Sequence, residues 1–387
     1  MVNKPRKKLL LITRNFPPLV GGMEKLNLHI SKSLASLFHV VIAGPEGSAQ
    51  FHKLTDYTEF PVKPLWKYVA FSLCKSILLA LRITPSVVFC GSGAAILAGY
   101  FSAKLTGATL VCYLHGLDVI VDSKIYQWFF LPLIKKSNLI LVNSKHTCGL
   151  AIAAGVDPLR IKILSPSVEL PDLSNKVVAS QQFRLKYNIG TSPFMLIAGR
   201  ITARKGITEF VKNVMPSIMS VHPELQLVII GDEAVDAMKQ SSGIKNSIIA
   251  AVDTLNLHAN VKLIGSVDDI TFSAAFFSAE MLVFPALNIA NDVEGFGMVA
   301  IEAAAHGLPT VGFAVGGIPD AISHNHSGWL VESGDYSQMS RVILDAYSSS
   351  QSGTVTSESC IQFARQFSWE SFESKLNDYL KDFNSEK

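Results

Sequence analysis

One pattern narrows the folds open to this chain more than any other. Short apolar runs, mostly continuous rather than alternating, recur along its whole length with helical periodicities between them. In the first half they cover 9–13, 39–43, 86–90, 109–115 and 139–143; in the second, 194–199, 225–231, 261–264, 281–285, 309–313 and 328–331. A strand apolar on both sides must be covered on both sides, which is the condition of a parallel sheet between two helical layers. The segments 23–37, 94–104, 207–222 and 337–347 read as the helices. Two such series in succession predict an α/β protein of two doubly wound, Rossmann-like domains. A length of 387 residues suits two domains better than one. The polar stretch 171–182 is the expected linker, dividing a first domain, 1–178, from a second, 179–368. A last helix near 369–383, within 369–387, is expected to pack back on the first.

Composition removes several classes. A net charge of +3 is too small for a dedicated nucleic-acid binder. Cys74, Cys90, Cys112, Cys148 and Cys360 are scattered, odd in number and without Cys-x-x-Cys spacing. That is the usage of a reducing, cytoplasmic compartment, with neither a disulfide framework nor a zinc site. The basic start followed by an apolar run imitates a signal peptide, but the run is short and breaks at Arg14-Asn15, so it reads as a buried strand.

Ligands of open α/β sheets bind at the carboxyl ends of strands, so the loops there carry the chemistry. After the run 281–285, Glu294-Gly295-Phe296-Gly297 forms a glycine-flexed loop leading into an Ala-rich helix, stopped by Gly307 and Pro309. Glu294 on the loop and Glu302 about two turns into the helix are two acids able to accept from hydroxyl-rich groups such as those of a nucleotide sugar. After 194–199, Arg200 and Lys205 flank a turn that opens a helix at Gly206. Two fixed cations and a helix N-terminus are what a diphosphate leaving group needs. Arg204, between them, reads as a solvated surface residue.

Weaker signals come from the first half. Gly21-Gly22 opens the first helix, where backbone N–H groups can approach an anion or sugar; a tight turn, with Glu24 favouring the helix dipole, serves equally well. His115, ending the run 109–115, is placed for a sugar hydroxyl or the reacting centre, or is a histidine satisfied by backbone. Asp268-Asp269 reads as helix capping rather than a metal site. Gly316-Gly317 either shapes a pocket or makes a plain turn. The segment 64–83 mixes Trp66, Tyr68, Phe71 and many leucines with Lys67, Lys75 and Arg82. Three cations argue against a transmembrane span, leaving a helix packed on the sheet or an amphipathic helix on anionic lipid. Lys135-Lys136, after Trp128-Phe129-Phe130, adds a second apolar–basic patch.

Together these residues resemble the retaining glycosyltransferases of family 4, which have the GT-B architecture of two Rossmann-like domains facing across a cleft. The resemblance rests on Phe16-Pro17-Pro18 with Gly21-Gly22 and Glu24, on His115-Gly116-Leu117-Asp118, and on Gly199-Arg200 with Lys205-Gly206. It extends to the Glu294 and Glu302 pair, Gly316-Gly317-Ile318-Pro319-Asp320 and Phe367-Ser368-Trp369-Glu370. It implies that Arg200 and Lys205 hold the donor diphosphate and that Glu294 binds donor-sugar hydroxyls. The amides of Gly295, Phe296 and Gly297 would lie near the sugar or phosphate, and Glu302 would accept from the ribose. Gly22 would lie near the phosphates and acceptor, and His115 near the transferring sugar. It further implies transfer from a UDP- or GDP-linked sugar to the hydroxyl of a saccharide or lipid-linked saccharide, without metal or cofactor, in polysaccharide or glycolipid assembly. Peripheral contact with anionic membrane and no nucleic-acid partner complete the expectation.

Two departures stand out. Ser165-Pro166-Ser167-Val168-Glu169 replaces the family's Pro-Asn-Gly-Val-Asp, and Asp320 replaces a glutamate. Alternatives remain: a nucleotide-sugar epimerase of the same fold, a phosphorylase, or a catalytically silent nucleotide-sugar-binding subunit of a glycan-assembly complex. Product analysis with and without acceptor separates the first, and donor hydrolysis by the purified protein tests the last.

Overall fold

The computed structural model describes residues 6–51, 57–233, 243–348 and 354–384. Two parallel sheets form. The first contains β1 (Lys8–Ile12), β2 (His39–Pro45), β3 (Tyr57–Phe60), β4 (Val87–Cys90), β5 (Thr109–Leu114), β6 (Leu139–Val142) and β7 (Ile161–Ile163). Its order is β3-β2-β1-β4-β5-β6-β7. The second contains β8 (Phe194–Ala198), β9 (Gln226–Ile230), β10 (Val261–Gly265), β11 (Met281–Phe284), β12 (Thr310–Phe313) and β13 (Gly328–Val331), in the order β10-β9-β8-β11-β12-β13.

The continuous apolar runs have the expected cause. Leu9, Leu10, Leu11 and Ile12 are all fully enclosed, yet Leu10 and Ile12 join one core cluster while Leu9 and Leu11 join another. Successive side chains leave opposite faces of the pleat, so both layers of helix are fed by one strand. Each apolar run read from the sequence contains a strand. β3 and β7, the two edge strands of the first sheet, were not among them. Their sequences, Tyr-Thr-Glu-Phe and Ile-Lys-Ile, carry exposed or half-exposed side chains and lack the continuous apolar signal.

The chain divides into two compact units, Met1–Ser167 with Trp369–Lys387, and Val168–Ser368. The boundary precedes the stretch 171–182, which is not an irregular linker. Leu173–Asn175 makes a short 3-10 turn, and the helix Lys176–Lys186 follows, anchored by the buried Phe183. Val168 already belongs to the second unit, its N–H donating to the Phe367 carbonyl at 2.9 Å. The last helix, Trp369–Asn384, belongs to the first unit. Phe372, Leu376 and Leu380 enter the core cluster of Leu9 and Leu11, and Trp369 stacks on His29 at 3.6 Å.

In each sheet the strand order reverses direction once, between β1 and β4 and between β8 and β11. Loops leaving the carboxyl ends of those neighbours run to opposite sides, opening a crevice between them. In the second unit the two loops are those that hold Arg200–Gly206 and Glu294–Gly297.

Candidate functional site

The loop after β8 is fixed by glycines. Gly206 has φ 64°, and a Cβ there would lie 2.1 Å from the Pro285 carbonyl, so only glycine lets this turn press on the end of β11. The neighbouring Leu287 N–H donates to the Arg204 carbonyl at 2.8 Å. The loop after β8 and the start of the loop after β11 are thus one packed body.

Their side chains meet as charges. Lys205 Nζ lies 3.0 Å from Glu294 Oε2 and 4.4 Å from the centre of the Phe284 ring. Arg204 donates through Nη1 to the same Glu294 oxygen and through Nε to Asp292 Oδ1 at 3.1 Å. Arg204 is therefore not a solvated surface residue; its side chain is only 12% exposed. A guanidinium has donors on two edges, and it fills a place between two acids that a lysine ammonium could not span.

The electrostatics follow from burial. Burial alone would push the Glu294 carboxyl up, but Lys205 and Arg204 outweigh it and hold the group below its ordinary range. Lys205 is also shifted down, which for an amine works against the charged form. Burial lowers its value, Glu294 opposes the shift, and Arg204 and Arg200 add to it. Among the described residues Arg204 has Asp292 as well as Glu294, whereas Lys205 has only a share of Glu294, so a further anion beside Lys205 is favoured. Arg200 is exposed at the end of β8.

Glycines also hold the acidic loop from beneath. A Cβ on Gly316 would lie 2.4 Å from the Glu294 carbonyl, and one on Gly317 would lie 2.2 Å from that of Gly295. Gly317 N–H donates to the Glu294 carbonyl at 2.8 Å. Gly316-Gly317 is thus a clamp on the Glu294 loop rather than a free turn. Gly297 adopts φ 100°, and the helix starts after it at Met298, ending at Ala305. Glu302 consequently stands little more than one turn into the helix, rather than two. Phe296 turns inward and packs on Phe367 at 5.6 Å, so its side chain serves the core. His306 closes the helix, with Nδ1 2.7 Å from the Glu302 carbonyl and Nε2 2.7 Å from Ser273 Oγ. A carbonyl only accepts, so the proton sits on Nδ1 and the serine hydroxyl donates to Nε2. Asp268 caps the helix Asp269–Ser278, accepting from Thr271 N–H at 2.7 Å, as the sequence suggested.

Of the four side chains expected to act together, Lys205 and Glu294 are in contact. Arg200 is close enough for its charge to act on Lys205. Glu302 lies on the helix that leaves the same loop. Asp292 joins them through Arg204, the member that sequence reasoning missed although an arginine directly before the lysine was visible.

In the first unit, His115 is half-buried, its Nε2 3.1 Å from the Gly91 carbonyl at the end of β4. Its own N–H donates to Asp118 Oδ2 at 2.9 Å. Burial pushes the Asp118 carboxyl up, and His115 with the N–H donors of His115 and Gly93 partly opposes this. Glu24 folds back towards Gly21 and accepts from Asn15 Nδ2 at 2.8 Å. Gly22 is exposed, and a Cβ on it would meet no protein atom within 4 Å, so packing does not require glycine there.

Two doubly wound parallel-sheet units in one chain, with a charge cluster at the strand-order reversal of the second, give the GT-B fold class. The family description "Glycosyl transferases group 1" matches residues 180–367 and "Glycosyltransferase Family 4" matches residues 20–171. The chain belongs to glycosyltransferase family 4. It is 24% identical over 360 residues to the GDP-mannose-dependent monoacylated alpha-(1-6)-phosphatidylinositol monomannoside mannosyltransferase of Corynebacterium glutamicum, covering 88% of each chain. It is 27% identical over 416 residues to the capsular polysaccharide biosynthesis glycosyltransferase CapM of Staphylococcus aureus, covering 99% of each. Among solved structures, Anabaena Alr3699/HepE in complex with UDP superposes with a TM-score of 0.79 at 17% identity, covering 97% of this chain and 100% of that one.

Proposed function

We propose that this glycosyltransferase moves a hexosyl unit from a nucleoside diphosphate sugar, UDP- or GDP-linked, to an acceptor hydroxyl with retention of configuration. The observation that carries the reading is the Lys205–Glu294 contact at the β8/β11 reversal, where Lys205 shares that carboxylate with Arg204 and also feels the charge of Arg200. As the glycosidic bond breaks, negative charge grows on the departing diphosphate, and Lys205, Arg200 and the helix terminus after Gly206 are the groups that meet it. They supply the positive charge that a metal ion would otherwise bring, so the reaction is read as metal-independent and cofactor-free. Glu294 takes the sugar hydroxyls and Glu302 the ribose, with the amides of Gly295, Phe296 and Gly297 beside the sugar or phosphate. Gly22 lies near the phosphates and acceptor and His115 near the transferring sugar, and a diphosphate oxygen takes the acceptor proton.

The relatives' names support a saccharide or lipid-linked acceptor in polysaccharide or glycolipid assembly. The first unit has a surface suited to the lipid case. The helix Leu65–Ile83 buries Tyr68, Ser72, Ser76 and Leu79 while Trp66, Phe71, Leu78 and Leu81 point to solvent. Lys67 and Lys75 lie on the same helix, and Trp128 and Phe129 are exposed ahead of Lys135-Lys136. We read this as a surface for peripheral contact with anionic lipid on the cytoplasmic side. Among the described residues no helix is long and apolar enough to cross a membrane.

A thermal-shift screen against UDP-, GDP- and ADP-sugars identifies the donor, since a ligand that binds the native state raises its melting temperature. With that donor, Arg200→Ala and Lys205→Ala should each lower turnover by about 100-fold. Near-normal turnover in both variants would sink the assignment.

A further inference from the structure

We propose that Arg204 is a positioning residue for donor-sugar recognition: it holds the carboxylates of Asp292 and Glu294 in one frame, leaving Lys205 and Arg200 to the diphosphate. The inference rests on the donor reading above and assigns a role to a residue that reading leaves unused.

Three contacts make Arg204 a strap across the loop after β11. Its carbonyl accepts from Leu287 N–H near the start of that loop, and its guanidinium reaches Asp292 and Glu294 near the end. The partners lie 88 and 90 residues away in sequence, so the strap ties two loops that only the fold brings together. Between its anchor points the chain makes a tight turn, with Asn291 at φ 60° and Asp292 N–H donating to the Ile289 carbonyl at 3.1 Å. Such a loop carries no strand or helix to fix its acidic side chains. The side chains of Arg204 and Glu294 are only 12% and 13% exposed, and that of Asp292 is 34% exposed. An arginine held on two edges in this way is rigid, and its hydrogen bonds to charged partners are strong.

The division of labour follows from which oxygens are engaged. Glu294 Oε2 takes both Arg204 and Lys205, while among the described residues Oε1 takes neither. Once a diphosphate draws Lys205 away, Arg204 is the group still holding Oε2, which leaves Oε1 to accept from a sugar hydroxyl. Arg204, already committed to two carboxylates, has little charge left for phosphate. Reading a hydroxyl requires an acceptor held to a fraction of an ångström, which is why a group that touches no substrate can set specificity.

The test compares wild type with Arg204→Gln, Arg204→Lys and Asp292→Asn in two assays on the full chain. Calorimetry with the nucleoside diphosphate alone, UDP or GDP as the donor screen dictates, reads the phosphate site. The ratio of kcat/KM for the preferred nucleotide sugar to that for its deoxy analogue reads the hydroxyl site. Arg204→Gln should leave nucleoside diphosphate affinity within about threefold while reducing the discrimination ratio by about tenfold or more. Asp292→Asn should reduce the ratio less, and Arg204→Lys should not restore it, because an ammonium cannot span both acids. If Arg204→Gln weakens nucleoside diphosphate binding as much as Lys205→Ala does, Arg204 is a phosphate ligand and the proposal is wrong. If the ratio is unchanged in a folded Arg204→Gln protein, the strap is merely structural and the proposal is equally wrong. A wild-type chain that binds no nucleoside diphosphate overturns the donor reading itself, and the strap's role with it.

Discussion

At the residue scale, burial decides what each charged group can do. His306 is 8% exposed, donates to the Glu302 carbonyl and is packed against Phe276 and Phe277. Burial pushes it from the usual 6.5 down to about 4, the Glu302 carbonyl partly opposing and Lys176 adding to the shift. A histidine whose folded value is depressed is charged first in the unfolded state, so stability falls as pH drops from about 6.5 to about 4. The full loss is about 3 kcal/mol. Urea titrations across that window should show the slope, and His306→Gln should flatten it while lowering stability at neutral pH. An unchanged slope would mean that the histidine is not the titrating group. Lys205 gives a second pH effect. Diphosphate favours the ammonium form, and the free protein loses that proton more readily than an ordinary lysine does. Donor affinity should therefore fall on the alkaline side before an unperturbed lysine would titrate, and Lys205→Arg should move that limb upward in kcat/KM profiles.

At the element scale, two glycines that look alike in sequence differ in physical role. Gly317 has ordinary negative φ, but a Cβ would press on the backbone of Gly295 and Phe296. Gly317→Ala should displace the Glu294 loop, costing about 1–3 kcal/mol of stability and weakening donor binding. Gly22 is open, so Gly22→Ala should leave the denaturation midpoint unchanged or slightly raised while lowering transfer. A loss of stability at Gly22 equal to that at Gly317 would contradict this distinction. Similar limits governed what could be read before the structure. Central strands announced themselves because both faces are buried, whereas β3 and β7 sit at sheet edges where polar side chains are tolerated. The stretch 171–182 was polar because its helix is largely exposed, not because it lacks structure. Lys205 and Glu294 were legible as strand-end charges. Arg204 was not, since its partners come from a loop almost ninety residues on, and nothing local distinguishes a strap from a wet side chain.

At the scale of the whole molecule, each unit is a complete doubly wound sheet with its own core, and the last helix is part of the first. Leu376 is fully buried there, so Leu376→Ala should cost about 2–5 kcal/mol in the unfolding of that unit. Melting should show the first unit destabilised and the second unaffected. The outward apolar–basic surface of the first unit gives the other prediction at this scale. The full chain should float with vesicles containing phosphatidylglycerol and remain behind with neutral phosphatidylcholine. Serine at both Trp66 and Leu78, two exposed positions, should abolish flotation. Equal behaviour on both vesicle types would remove the anionic-lipid reading.

The claim on which the account turns is that the charge cluster between β8 and β11 binds the diphosphate of a nucleotide sugar. Isothermal titration of the matching nucleoside diphosphate into wild type and Lys205→Ala measures it directly. The account predicts saturable binding to the wild-type chain and an affinity lower by about tenfold to a hundredfold in the variant. Equal affinity in the two proteins would contradict it.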